Sequence, residues 1–168
     1  MALDDLLPAK AKVIICGTAV TKTSKAANAY YANGGNNLYE TLHEVGITPW
    51  QITPNQYREL ADFGVGFTDL VKGRTGLDNE LQKNDFDIEA FKSKILQCKP
   101  KVVCFNGKLA ASYFKLGRRN TKKIYYGLMK DFTIGDTKIF VAPSSGAQGR
   151  RYWDIKHWHD LKKLIDAV

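Results

Sequence analysis

Cysteine is scarce in this chain: three stand among 168 residues, at Cys16, Cys98 and Cys104, and the number is odd. An odd set cannot close a complete disulfide framework, and none of the spacings is that of a zinc knuckle or ribbon. Reduced thiols are expected. Histidine is equally sparse, with His43, His157 and His159 too scattered to suggest a metal site. The chain has no Gly-Lys-Ser/Thr phosphate loop and no complete Gly-x-Gly-x-x-Gly after a strand, so neither metal nor nucleotide cofactor is expected. It also lacks any apolar run of membrane-spanning length, and Asp4-Asp5 stands where an export signal needs positive charge. The pattern predicts a soluble, unexported protein with no membrane-embedded part.

What is present supports one compact domain over residues 1–168, acting as a monomer. Hydrophobic residues make up 44% of the chain, enough at this length for a core without disulfides or metal. The formal charge is +8 and the pI about 9.3. That balance favours a polyanionic partner, and it suits DNA, RNA or an anionic membrane face alike.

Short apolar runs alternate with helical periodicity. Lys12-Val13-Ile14-Ile15-Cys16 stops at Gly17 and reads as a buried parallel strand. The segment from Gly17 to Gly35 is rich in Thr, Ser, Asn and Gly without a period of its own, and loops of that length are usually functional. Asn36 is a candidate cap for a helix carrying Leu38, Tyr39, Leu42 and Val45, with Gly46 as its stop. A second helix is expected over 55–63, a strand over 64–71, and a surface loop over 72–85. Asp87 begins a helix with Ile88, Phe91, Ile95 and Leu96 on one face, ended by Lys99-Pro100. Further strands are read at 101–105 and 137–142, helices at 108–114 and 152–168, and a basic segment at 115–123. The fold class predicted is α/β: an α/β/α sandwich with a mainly parallel central sheet. In such a sheet ligands bind beyond the carboxyl ends of the strands. Residues 17–31, Gly107-Lys108 and Ser144 to Arg150 should therefore gather around one site.

Several short motifs in a fixed order give a sharper indication. Val13-Ile14-Ile15-Cys16-Gly17 runs into Thr18-Ala19-Val20-Thr21, followed by Tyr30-Tyr31-Ala32-Asn33-Gly34-Gly35-Asn36-Asn37-Leu38-Tyr39. Gly66-Phe67-Thr68-Asp69-Leu70-Val71, Phe105-Asn106-Gly107-Lys108 and Pro143-Ser144-Ser145-Gly146-Ala147-Gln148 come later. Over nearly its whole length the chain resembles the uracil-DNA glycosylase superfamily, and within it the mismatch-specific uracil- and thymine-DNA glycosylases. The resemblance implies the same fold, DNA as partner, and a location in the cytoplasm, nucleoid-associated in a bacterium, or in the nucleus of a eukaryote. Some branches of the superfamily hold an iron–sulfur cluster on four cysteines; three cysteines exclude that branch.

The same resemblance implies roles for individual residues. An enzyme of this kind takes its target nucleotide out of the duplex. Tyr31 matches the aromatic on which the base stacks, and Tyr30 beside it either closes the pocket or packs in the core. Backbone N–H groups from Gly17 through Thr18 and Ala19 to Val20 are placed to donate to a base carbonyl, with hydroxyl contacts from Thr18 and Ser24. Asp69 either accepts from the base N3–H or positions water as a general base. Asn36 is a second water-positioning candidate, against a plain helix cap. The loop Ser144, Ser145, Gly146, Ala147, Gln148 and Arg150 corresponds to the segment that fills the gap in the duplex, and Lys108 is placed to meet phosphate at a helix start.

One departure stands out. The family's water-positioning Asn falls on Ala19, whose methyl group can neither orient nor deprotonate water. Three functions therefore stay open at this stage: removal of uracil from DNA, removal of hypoxanthine or xanthine through a pocket enlarged at Ala19, and recognition of damaged DNA without hydrolysis.

Overall fold

The computed structural model describes residues 3–168; Met1 and Ala2, which the sequence pattern assigns to the same domain, lie outside the described residues. Five strands form one sheet: β1 Val13–Gly17, β2 Val65–Asp69, β3 Val102–Asn106, β4 Gly127–Ile134 and β5 Thr137–Ala142, in the order β2-β1-β3-β5-β4. All neighbouring pairs run parallel except β4 against β5. The expected α/β architecture is thus the one observed. β1 and β2 are buried along their full length; β1 reads as a continuous apolar run, as a strand covered on both faces does, whereas β2 ends on the buried polar pair Thr68 and Asp69.

β4 escapes the sequence pattern. It is an edge strand, half-exposed, with Lys130 and Asp131 in its middle and a register shift between Leu128 and Thr133. A solvated edge keeps charge and irregularity that blunt unwanted pairing, and both erase the apolar run by which inner strands are read.

Side chains alternate across the sheet and feed two cores. On one face Val13, Ile15, Phe67, Val102 and Phe140 pack with α2 (Leu38–Glu44) and α5 (Ile155–Ala167). On the other, Ile14, Cys16, Val103, Phe105 and Ile139 pack with α3 (Ile88–Cys98) and α4 (Lys108–Leu116). The expected helix ends hold well at α3. The Asp87 side chain accepts from Ala90 N–H, and Lys99 closes the helix in the left-handed region just before Pro100. Leu96 departs from its expected inward position and is 51% exposed. The segment predicted as a helix over 55–63 is a 3-10 helix, Pro54–Phe63, and the long loop after β1 contains a short helix, α1 (Lys22–Ala27), capped by the Thr21 side chain.

The N-terminal segment is pinned to the sheet edge by an antiparallel bridge between Leu6 and Phe67. Leu6 N–H donates to the Phe67 carbonyl at 2.9 Å, and the Leu6 carbonyl accepts from Phe67 N–H at 2.8 Å. Gly66 makes this approach possible, because a Cβ there would lie 2.2 Å from the Leu6 carbonyl oxygen. Among the described residues no helix is long and apolar enough to cross a membrane.

Trp158 joins the C-terminal helix to the functional end of the sheet. It is fully buried, and its indole N–H donates to the Pro143 carbonyl at 3.1 Å, at the start of the loop that follows β5. Truncating a buried aromatic removes its contacts and leaves a cavity. Trp158→Ala is expected to lower stability by about 3–5 kcal/mol in urea unfolding; Trp158→Phe, which loses the hydrogen bond and less volume, should cost clearly less.

Candidate active site

The parallel register fixes where the functional loops emerge. Gly17 at the end of β1 is the partner of Asp69 at the end of β2, and Asn106 at the end of β3 is the partner of Ala142 at the end of β5. A cleft of about 420 Å³ opens above these ends. Of the residues singled out in the sequence, Gly17, Thr18, Ala19, Ser24, Tyr30, Tyr31, Asn36, Asp69, Ser144, Ser145, Gly146, Ala147 and Gln148 all line it. Lys108 and Arg150 do not. The Lys108 ammonium sits 4.4 Å from the centre of the Tyr126 ring, and Arg150 donates to the Gly35 carbonyl.

The first wall is the loop after β1. Its carbonyls are taken up internally: Gly17, Thr18 and Val20 receive the N–H groups of Leu70, Val71 and Gly76 at 3.1, 2.8 and 3.1 Å. Among the described residues the N–H groups of Ala19 and Val20 make no hydrogen bond, and both residues line the cleft. The Thr18 hydroxyl is engaged by Asp78 at 2.6 Å, and Arg119 donates to the Asp78 carbonyl at 2.9 Å, tying the rim to the basic segment. Ser24 is likewise occupied. Its oxygen accepts from Ala32 N–H at 3.0 Å and its hydroxyl donates to the Asn33 side chain at 3.3 Å. Asn36 behaves as a cap: its side-chain oxygen accepts from Leu38 N–H at 3.0 Å, one residue earlier than the usual capping position.

Aromatic rings and one carboxylate form the floor. Tyr30 is 1% exposed and packs against Phe67 and Tyr57, with centroids at 5.0 and 5.5 Å. Tyr31 meets Phe67 edge-on at 5.3 Å with a positive φ of 54°, and its buried hydroxyl has no hydrogen-bond partner. Burial and the neighbouring Asp69 push the Tyr31 phenol well above its ordinary range. Asp69 is 3% exposed, and burial raises its carboxyl from 3.8 to about 6, against the pull of Lys72 and a hydrogen bond with Tyr30. A carboxylate held near neutrality in a cleft is equipped to take up a proton.

The third wall is the loop after β5. Ser145 is fully buried, its N–H donates to the Asn106 side-chain oxygen at 2.9 Å, and its hydroxyl oxygen accepts from the Asn106 amide at 2.8 Å. The Ser145 carbonyl receives Asn37 N–H at 3.1 Å. With its amide turned to satisfy both neighbours, Asn37 also donates to that carbonyl and accepts from Arg150. Gly35 allows the two loops to touch, since a Cβ there would stand 2.7 Å from the Ala147 Cβ. Asn106 belongs to a motif visible in the sequence, yet its role there is hidden. Nothing in Asn-Gly after a strand tells a turn former from a side chain that clamps a loop 39 residues away.

The clamp generates a test. Asn106→Leu keeps the volume but strands the Ser145 N–H and hydroxyl, each unpaired buried group costing about 1–3 kcal/mol. Exchange of the Ser145 amide hydrogen is expected to accelerate roughly ten- to a hundredfold. Unaltered exchange would mean the loop is held elsewhere.

Comparison with known proteins agrees with this geometry. A model of the uracil DNA glycosylase superfamily matches residues 5–164. The fold is similar to a solution structure from Methanosarcina acetivorans, described provisionally as a uracil DNA glycosylase, with a TM-score of 0.65 and 18% identity. That likeness covers 98% of this chain and 95% of the other. With the family match spanning nearly every element that builds the cleft, the chain belongs to the uracil DNA glycosylase superfamily.

Proposed function

We propose that this protein is a monofunctional DNA glycosylase that hydrolyses the N-glycosidic bond of a flipped-out uracil and leaves an abasic site. The observation that carries the reading is the pairing, across one cleft, of a buried carboxylate, Asp69, with a loop bearing unengaged N–H groups at Ala19 and Val20. The two features suit opposite sides of one displacement. As the C1′–N1 bond breaks, its electron pair moves onto the base, and N–H donors stabilise the charge that develops on the uracil carbonyl. Water adds to C1′, and its proton passes to Asp69 acting as general base. The departing base then takes a proton from solvent. Tyr31 supports the extruded base with its ring, while Ala147 and Gln148 stand at the opening left in the duplex. Lys108, Arg150 and the basic residues of 115–123 supply sequence-independent attraction from outside the cleft.

The missing Asn at Ala19 leaves room as well as removing a group. A cleft of about 420 Å³ walled there by a methyl group also suits a deaminated purine such as hypoxanthine or xanthine, the second reading. Single-turnover reactions on duplexes carrying each lesion separate the two. No abasic product from any of them at stoichiometric protein would sink the catalytic reading and leave a damage-binding module.

The Asp69 carboxyl sets the pH dependence. A base must be ionised, so the uracil-release rate is expected to climb with pH through a midpoint near 6 and then level. Asp69→Asn should abolish that limb and lower the plateau rate. Its effect on stability has the opposite sign. A carboxyl raised from 3.8 to about 6 by folding favours the folded state only while protonated. That contribution is complete below 3.8 and is lost as pH rises through about 6. Asp69→Asn is therefore expected to leave the urea midpoint near pH 4 almost unchanged and to stabilise the protein near pH 8 by about 2–3 kcal/mol.

A further inference from the structure

Behind the cleft floor lies a cluster of charges that the chemistry above leaves unused. The Lys72 ammonium has four oxygens around it: the Leu3 carbonyl at 2.7 Å, Asp5 Oδ1 at 2.9 Å, the Tyr30 hydroxyl at 3.3 Å and Asp69 Oδ2 at 3.4 Å. An ammonium has three N–H donors. The two short contacts to the N-terminal segment take two of them, and the third is divided between Tyr30 and Asp69. Asp5 is itself held, accepting from Thr68 Oγ1 at 2.8 Å and pairing with Lys94 at 2.5 Å. Two cations and two carboxylates thus balance, with Asp69 the member that reaches the cleft.

We propose that Lys72 is a positioning residue for Asp69, and that Asp5 and the Leu3 carbonyl hold its ammonium back at a distance that leaves Asp69 only partly paired. The inference rests on the reading of Asp69 as general base. Its physical content is a compromise between two failures. A lysine in full contact would lock the carboxylate in its ionised form, too weak a base to take a proton from water; with no lysine, burial would keep it protonated at neutral pH. The N-terminal segment supplies the restraint, fastened to β2 by the Leu6–Phe67 bridge directly beside Thr68 and Asp69. The groups facing Asp69 are few. Tyr30 and Tyr31 approach from the loop before α2, Cys16 from β1, Asp5 from the N-terminal segment, and Lys94 acts from α3 through Asp5. Lys72 is the cation in contact with it.

The test uses the full chain with Lys72→Gln, Lys72→Arg and Asp5→Asn, each checked for folding by its thermal transition. Two quantities are read: titration of the Asp69 carboxyl carbon by NMR without DNA, and the pH profile of single-turnover uracil release. Lys72→Gln is expected to move the Asp69 midpoint up by about 1–2 pH units, and Lys72→Arg to return it toward the native value. Asp5→Asn is expected to move it down, because the freed ammonium closes on Asp69 and one negative neighbour is gone. A folded Lys72→Gln with an unmoved carboxyl midpoint overturns the proposal. Where that variant does not fold, an unmoved or raised midpoint in Asp5→Asn does the same. A carboxyl midpoint that shifts while the rate profile stays fixed upholds the positioning role and removes Asp69 as the base.

Discussion

The parallel register of β1 with β2 and of β3 with β5 is the constraint on which the site depends. It sets Gly17 against Asp69 and Asn106 against Ala142, so that loops distant in sequence leave the sheet at one level. Because side chains alternate, a slip of one residue in β2 would turn Asp69 to the opposite face and put its neighbour in the cleft. The register is in turn enforced by burial on both faces, where successive residues such as Ile14 and Ile15, or Val102 and Val103, each have a separate core to fill. Polar contacts complete what the register begins. Asn106 and Asn37 both grip Ser145, and Gly35 lets the loop after β5 close onto the loop before α2.

Against that scaffold Asp69 is a local expense. Removing a carboxylate from water is unfavourable, and Lys72, a third of whose side chain remains exposed, offsets only part of it. A fold selected for stability alone would pair the charge fully or replace it with an apolar side chain. Retaining a strained ionisation at the floor of a cleft is the pattern expected where function, rather than packing, decides the residue.

The scaffold was largely legible in the sequence because its inner strands are buried on both faces and its helices carry apolar stripes, as at Trp158, Leu161 and Ile165. The edge strand β4 was not, since half-exposed Gly127–Ile134 has no reason to look apolar. The same division runs through the site. Residues beside glycine turns after strands, such as Gly17, Ala19 and Ser145, announced themselves through order and spacing. Asn106 showed only as a turn, and the set Asp5, Lys72 and Lys94 did not show at all. Ion pairs between segments more than sixty positions apart, as in Asp5 with Lys72, leave no periodic trace, and a lysine after a strand resembles any solvated cation. Lys108 illustrates the converse. Its place at a helix start suggested phosphate, whereas its ammonium lies over Tyr126 outside the cleft.

The alanine at position 19 bears on how hydrolysis would be divided in this cleft. In a dissociative displacement most of the barrier lies in parting the base from the sugar, and water enters late with little demand on its basicity. Loss of a side chain that orients water then costs less than loss of the donors that receive charge on the base, and those donors are backbone N–H groups that no substitution at Ala19 except proline would remove. On the proposed reading the N–H groups of Ala19 and Val20 would act on the leaving group and Asp69 on the nucleophile, from the loop after β1 and the end of β2. On the proposed reading the Ala19 side chain is thus expendable for a physical reason: the backbone of its own loop keeps the larger share of the catalysis, and the smaller share has moved to a carboxylate on β2.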